Sequence, residues 1–159
     1  MSIRQASEAD LEQVLALYHE FHEFHVRGVP ERLIVPTPYD DEAARATLVT
    51  LLHSEDAAIF VADDHERLLG LAEVYLRRDP SHPATISYVY GHLQSLIVTA
   101  PRRRLGLGQR LVAAAEAWSL AHGATEMRLS CWEFADGPLT FYETLGYRTM
   151  KRTLVRPLA

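Results

Sequence analysis

The sequence predicts a mixed α/β fold, an α+β arrangement with a largely antiparallel sheet and helices on both faces. Three observations carry that expectation. Apolar runs of strand length and amphipathic runs of helix length follow in the order strand, helix, helix, three strands, helix, strand, helix, strand. The strand-like runs between residues 57 and 98 are joined by turns rather than helices, as in hairpins. The 159 residues, 48% of them apolar, suffice for one domain over residues 1–159 with a substantial core.

Each element has its own local reason. "SIRQA" reads as a short strand, and Ser7 with Asp10 forms a capping-box-like start to a helix running to about Arg27. Leu11, Val14, Leu15, Tyr18 and Phe21 fall on its inward face. Residues 28–40 hold three prolines and read as a loop, after which Asp40 or Asp41 starts a second helix to about His53. Strands are expected at 57–62 and 67–76, around the turn Asp63-Asp64-His65-Glu66. A loop from Arg77 to Ala84 leads to a long strand at 85–98, with a bend near Gly91. Leu107, Leu111, Ala114, Ala115 and Trp118 mark the next helix, "EMRLSCWE" the next strand, and 147–158 a last strand. Between these two strands, Asp136 is placed to cap a short helix, Pro138 suits its first turn, and Gly146 suits the left-handed position after its end.

Composition narrows the function. A net charge of −5 argues against general nucleic-acid binding, so the run Arg102 to Arg104 is a local feature. No apolar run is long enough to cross a bilayer, and no signal peptide is read at the amino end. The single cysteine, Cys131, excludes an internal disulfide and lies in a strand-like run, where a buried, inert thiol is expected. These features suit a cytoplasmic protein.

The most informative stretch is His92 to Gly123. The apolar run Leu96-Ile97-Val98 stops at Thr99-Ala100-Pro101, and then Arg102 to Arg104, Leu105, Gly106, Leu107 and Gly108 lead into the helix. A helix that begins on glycines offers unpaired N–H groups and the positive end of its dipole, which attract phosphate. Arginines at the mouth add charge-assisted bonds to the same anion. The Gly-Lys-Ser/Thr of a P-loop does not occur, and Leu111 stands where a dinucleotide fingerprint needs a small residue.

The remaining pattern, Arg103-Arg104-Leu105-Gly106-Leu107-Gly108, resembles the coenzyme A loop of the GCN5-related N-acetyltransferases, the GNAT proteins. A second block, Phe141-Tyr142-Glu143-Thr144-Leu145-Gly146-Tyr147, resembles the signature that closes the same fold. Taken alone, Tyr142 could equally be an amphipathic core tyrosine, since Leu139, Tyr142 and Leu145 recur at helical spacing. The resemblance implies a sheet splayed between its fourth and fifth strands, with acetyl-CoA as co-substrate. It also implies main-chain contacts to the pantetheine arm from Leu96, Ile97 and Val98. Arg103 and Arg104, with the N–H groups of Leu105, Gly106, Leu107, Gly108 and Gln109, would hold the pyrophosphate. Tyr142 would both line the cofactor site and protonate the departing thiolate. The family often carries Asn and Ala where this chain has Ala135 and Pro138, so one side-chain bond to the cofactor is missing.

The reaction implied is acetyl transfer to a primary amine of a small molecule or peptide by direct attack. The amine must lose a proton, and Glu73 and His92 are the candidate bases, with Tyr88, Tyr90 and Gln94 nearby to bind or orient. A domain that binds acyl-CoA as a sensor, without turnover, is the alternative. His19, His22 and His25 form a stripe on the first helix that could in principle share a metal; a solvated face or a wall of the acceptor groove is the expected reading, and no metal is assigned. Homodimers are common in the family, and nothing in the sequence locates an interface.

Overall fold

The computed structural model describes residues 1–158. Its elements are β1 (Ser2–Gln5), α1 (Leu11–Gly28), α2 (Asp41–Leu52), β2 (Ala57–Asp63), β3 (Leu68–Arg78), β4 (Val89–Val98), α3 (Leu107–Ala121), β5 (Glu126–Arg128) and α4 (Leu139–Thr144). The strands form one sheet in the order β1-β2-β3-β4-β5, antiparallel except for the β4–β5 pair. The expected mixed sheet with helices on both faces is therefore present.

Period-two alternation sorts the strand side chains between two cores. Ile59, Val61, Leu71 and Ile97 pack under α1 and α2 with Val14, Leu15 and Leu48. Ala58, Ala72, Val74 and Leu93 pack on the opposite face against Leu107, Leu111, Ala115 and Tyr142. Leu71 and Leu111 are fully buried, and truncating either to Ala would cost roughly 2–5 kcal/mol. At Gly91 a side chain would run into Ser119 and Met127, so this glycine lets α3 lie close over the β4–β5 pair.

Local signals hold at the helix starts. Ser7 and Asp10 form the capping box, and the Asp40 carboxylate accepts the Ala43 N–H at 3.0 Å to open α2. Four expectations are corrected. The strand expected at 85–98 begins only at Val89, because Thr85 to Tyr88 belong to a loop closed by the Asp79 carboxylate on the Tyr88 N–H. The strand expected at 126–133 is cut to Glu126–Arg128. No strand forms over 147–158; a strand-like pattern needs a neighbouring strand, and β5 is too short to supply one. Finally, α4 starts on Pro138 with no side-chain cap, so Asp136 does not cap it, while Gly146 adopts the expected positive φ of 89°.

Candidate functional site

The site begins where the sheet opens. β4 pairs with β5 only at Tyr90–Glu126, Gly91–Met127 and His92–Arg128. From Leu93 to Val98 the β5 side of β4 has no strand partner among the described residues, so an extended ligand could add there as a further strand. The register with β3 slips between Glu73 and Val74, leaving Gln94 as the extra residue of a β-bulge at the start of this opening. Such bulges re-aim side chains beside active sites.

At the far end of the opened strand lies the arginine-glycine turn. The main-chain N–H groups of Arg104 through Gln109 donate to no acceptor among the described residues, and the first turn of α3 closes only with Arg110 N–H on Gly106 O at 3.1 Å. Two left-handed residues, Arg104 (φ 63°) and Gly106 (φ 76°), curl these donors into a concave row. Gly108 packs at its Cα against the Phe141 ring, so the loop and α4 are fitted to each other. Arg102 and Arg104 are exposed, with no acidic partner among the described residues. Arg103 is different. Its Nε donates to Val98 O at 3.0 Å, its Nη2 lies 3.6 Å from Glu20, and its guanidinium sits 4.8 Å over the Phe24 ring. It braces the turn against α1 rather than reaching outward.

Tyr142, 8% exposed, lies beside the opened strand in the core with Leu96 and Val98. Its hydroxyl has no hydrogen-bond partner among the described residues, while Phe141 and Tyr147 flank its ring edge-on. Burial pushes its pKa well above that of an ordinary phenol, and the nearby Cys131 thiol adds to this. The group therefore stays protonated at neutral pH, as a proton donor must. Ala135 and Pro138 occupy the chain just before α4, where Phe134 sits against Gly28 and 5.7 Å from the Phe24 ring.

The other sheet face carries the polar groups. Glu73, only 7% exposed, accepts hydrogen bonds from Tyr18 Oη at 2.8 Å and Ser95 Oγ at 2.9 Å on one oxygen, and from Tyr75 Oη at 2.6 Å on the other. Of these three, only Tyr18 stood out in the sequence, as an inward-facing residue of the first helix and not as a partner of Glu73; an acidic residue inside the apolar run Leu71-Ala72-Glu73-Val74 was the available signal that such partners must exist. His92 pairs with Tyr75 across the β3–β4 ladder and so shares this face. Burial and the Arg77 charge hold its imidazole below the usual histidine range, against the pull of Gln94 and Glu73. It is neutral at pH 7 and able to accept a proton.

The histidine stripe serves other ends. His19 contacts Asp41 at 2.9 Å and stacks on Tyr39, His22 donates to Ile34 O, and His25 donates to Phe21 O. Among the described residues no group of His, Cys, Asp or Glu is arranged to hold a metal ion. No helix among them is long and apolar enough to cross a membrane.

Comparison with known proteins agrees with this geometry. The family model described as the acetyltransferase (GNAT) family matches residues 12–147. The chain is 24% identical over 147 residues to the N-acetyltransferase YhfO of Bacillus subtilis, covering 92% of this chain and 89% of that protein. Among solved structures, a mutant of the BH1408 protein from Bacillus halodurans superposes with a TM-score of 0.88 at 26% identity over the full length of both chains. The aminoglycoside N-acetyltransferase AAC(6')-Iy in complex with CoA shares the fold with a TM-score of 0.74 at 19% identity over 99% of both chains. The splayed sheet, the row of free N–H groups and the matched family model establish that this chain belongs to the GNAT acetyltransferases, enzymes that transfer the acetyl group of acetyl-CoA to an amine.

Proposed function

We propose that this protein acetylates a primary amine of a small molecule or peptide by direct attack on the thioester, and that its roles fall on particular residues as follows. The observation that carries the reading is one continuous track: the unpaired stretch Leu93 to Val98 leads straight to the free N–H groups of Arg104 to Gln109. Leu96, Ile97 and Val98 offer main-chain groups to the pantetheine arm. The N–H groups of Arg104, Leu105, Gly106, Leu107, Gly108 and Gln109 receive the pyrophosphate, with the Arg104 side chain at its rim. Arg103 positions the turn.

His92 takes the proton of the incoming ammonium, since it is neutral and stands at the last β4–β5 pair before the sheet opens. Glu73, with both oxygens engaged by hydroxyls, keeps this face in place and favours the amine electrostatically. As the nitrogen bonds to the acetyl carbon and the C–S bond breaks, Tyr142 Oη delivers its proton to the departing sulfur.

A single free thiol supports a reducing, cytoplasmic setting. The exposed apolar side chains Leu154, Val155 and Leu158 beyond α4 support a homodimer that covers them. The direct test is calorimetric titration with acetyl-CoA followed by a thiol-release assay over a panel of amines. Micromolar binding with amine-dependent thiol release is expected, and binding without release by any amine would favour a sensor.

A further inference from the structure

A cavity of about 630 Å³ opens on the same sheet face as His92. Its walls include Asp79, Ile86, Tyr88, Glu126, Arg128 and Met150. The register fixes where it lies relative to the chemistry: Tyr90 pairs with Glu126 and His92 with Arg128, so the β5 wall of the cavity ends beside His92. Tyr90 and His92 point to one face by strand alternation, and the Arg128 guanidinium sits 3.9 Å from the Tyr90 ring centroid and 5.9 Å from that of Tyr88.

The charges inside the cavity are nearly balanced. Arg128 makes a bidentate pair with Asp79 at 2.6 and 2.8 Å, and its Nε donates to Glu126 at 2.6 Å. One fixed cation thus faces two carboxylates, which leaves a single uncompensated negative charge. The remaining wall, which includes His82 and Thr85, is mostly apolar and open. Ile86 and Met150 are each 75% exposed, and the Tyr88 ring stands beside them. Large exposed apolar side chains around a concavity mark a place that an apolar body covers.

We propose that this cavity is the acceptor site and that it selects a monoamine carried on a flat apolar or aromatic body. The uncompensated carboxylate draws in the protonated amine, the apolar body rests on Ile86, Tyr88 and Met150, and the nitrogen reaches His92 at the inner end. A polycation would set several ammonium groups against one free negative charge and the fixed cation Arg128, and a small polar amine would leave the apolar wall wet. The proposal rests on the acetyl-transfer reading above.

The test compares 2-phenylethylamine, ethanolamine and kanamycin as acceptors for the full chain with acetyl-CoA, read by thiol release. The aromatic monoamine is expected to lead in kcat/KM by on the order of tenfold or more. Ile86→Arg, on an exposed loop residue that supports no core contact, is expected to raise KM for 2-phenylethylamine on the order of tenfold and leave KM for acetyl-CoA unchanged. Saturation-transfer NMR with CoA present reads amine binding without turnover and is expected to show the phenyl ring in contact with the protein only when Ile86 is intact. Preference for kanamycin or ethanolamine, or an Ile86→Arg enzyme with unaltered amine KM, overturns the acceptor assignment while acetyl transfer stands. Acetyl-CoA that binds but is consumed with none of the amines, together with no ring contact by NMR, overturns both.

Discussion

Tyr18 on α1 donates a 2.8 Å hydrogen bond to Glu73 Oε2 on β3, and Ser95 on β4 donates to the same oxygen. One buried carboxylate thereby ties a helix and two strands together beside the opening of the sheet. Each of its three partners is a hydroxyl that donates to it. In Glu73→Gln one acceptor oxygen becomes an N–H₂ donor, so the hydroxyl that faced it must turn to accept and find another place for its own proton. We expect a loss on the order of 2 kcal/mol, seen as a Tm lower by roughly 4–8 °C. Tyr18→Phe, which leaves Ser95 and Tyr75 in place, should cost less. A Glu73→Gln protein as stable as the parent would show that the network is not what holds α1 to the sheet.

Tyr142→Phe separates catalysis from binding. Its hydroxyl has no partner within the protein, so its loss should leave Tm nearly unchanged. The affinity for acetyl-CoA should also hold, because the ring and its edge-on neighbours remain. A fall in kcat on the order of 10²-fold is expected from the lost proton donor. Pre-steady-state thiol release with calorimetry on the same sample checks both halves. An undiminished kcat would take the thiolate-protonating role away from this residue.

The shape of the arginine-glycine turn and the buried place of Tyr142 were legible in the sequence because each depends on residues a few positions apart. Gly106 with its left-handed φ and Gly146 after α4 express local chain geometry, which short patterns encode directly. The Glu73 network was not legible, since Tyr18 and Ser95 lie 55 and 22 residues from it and meet it only once strands are in register. The fate of 147–158 was hidden for the same reason. Its apolar residues read as a strand, but pairing is a property of the neighbour, and the chain after Arg128 leaves the sheet to seat Phe134 against Gly28. Arg103 shows a further limit: residue type suggested an anion contact, whereas Glu20, Val98 O and the Phe24 ring compete for the same guanidinium.

Gly106→Ala probes the concave row of donors. A Cβ there meets nothing within 4 Å, but a φ of 76° is strained for any L side chain. The expected cost is about 1 kcal/mol, relieved if the turn relaxes and turns some N–H groups away from the ligand. KM for acetyl-CoA should rise several-fold while kcat at saturation changes little. An unchanged KM would mean that the turn does not bind the pyrophosphate.

The depressed pKa of His92 sets the acid side of the rate profile. The imidazole faces Arg77, Glu73, Gln94 and Arg128, and the balance favours the neutral form. A base with a lowered pKa keeps its activity to lower pH, so kcat/KM for one fixed amine should carry an acid limb below the ordinary histidine value near 6.5. His92→Gln should abolish that limb and lower the plateau on the order of 10²-fold. A limb that survives in the variant belongs to another group.

Asp10 contributes to acid stability. Its carboxylate accepts both Nη1 and Nη2 of Arg4 at 2.8 Å and the Ser7 N–H at 2.8 Å, and these bonds bring its pKa down from 3.8 to about 2. A carboxylate whose folded pKa is depressed stabilises the protein above its unfolded pKa, and that contribution disappears as pH falls through the folded value. The window is therefore from about pH 4 down to about pH 2. Arg4 is 38% exposed, which screens the pair, so the contribution at neutral pH is about 1.5 kcal/mol rather than the full value of the shift. Asp10→Asn should lower stability by that amount in urea at pH 7, and the gap to wild type should narrow steadily as the pH is brought from about 4 to about 2. A gap that stays constant over that range would assign the stabilisation to the capping geometry at Ser7 and not to the charge on Asp10.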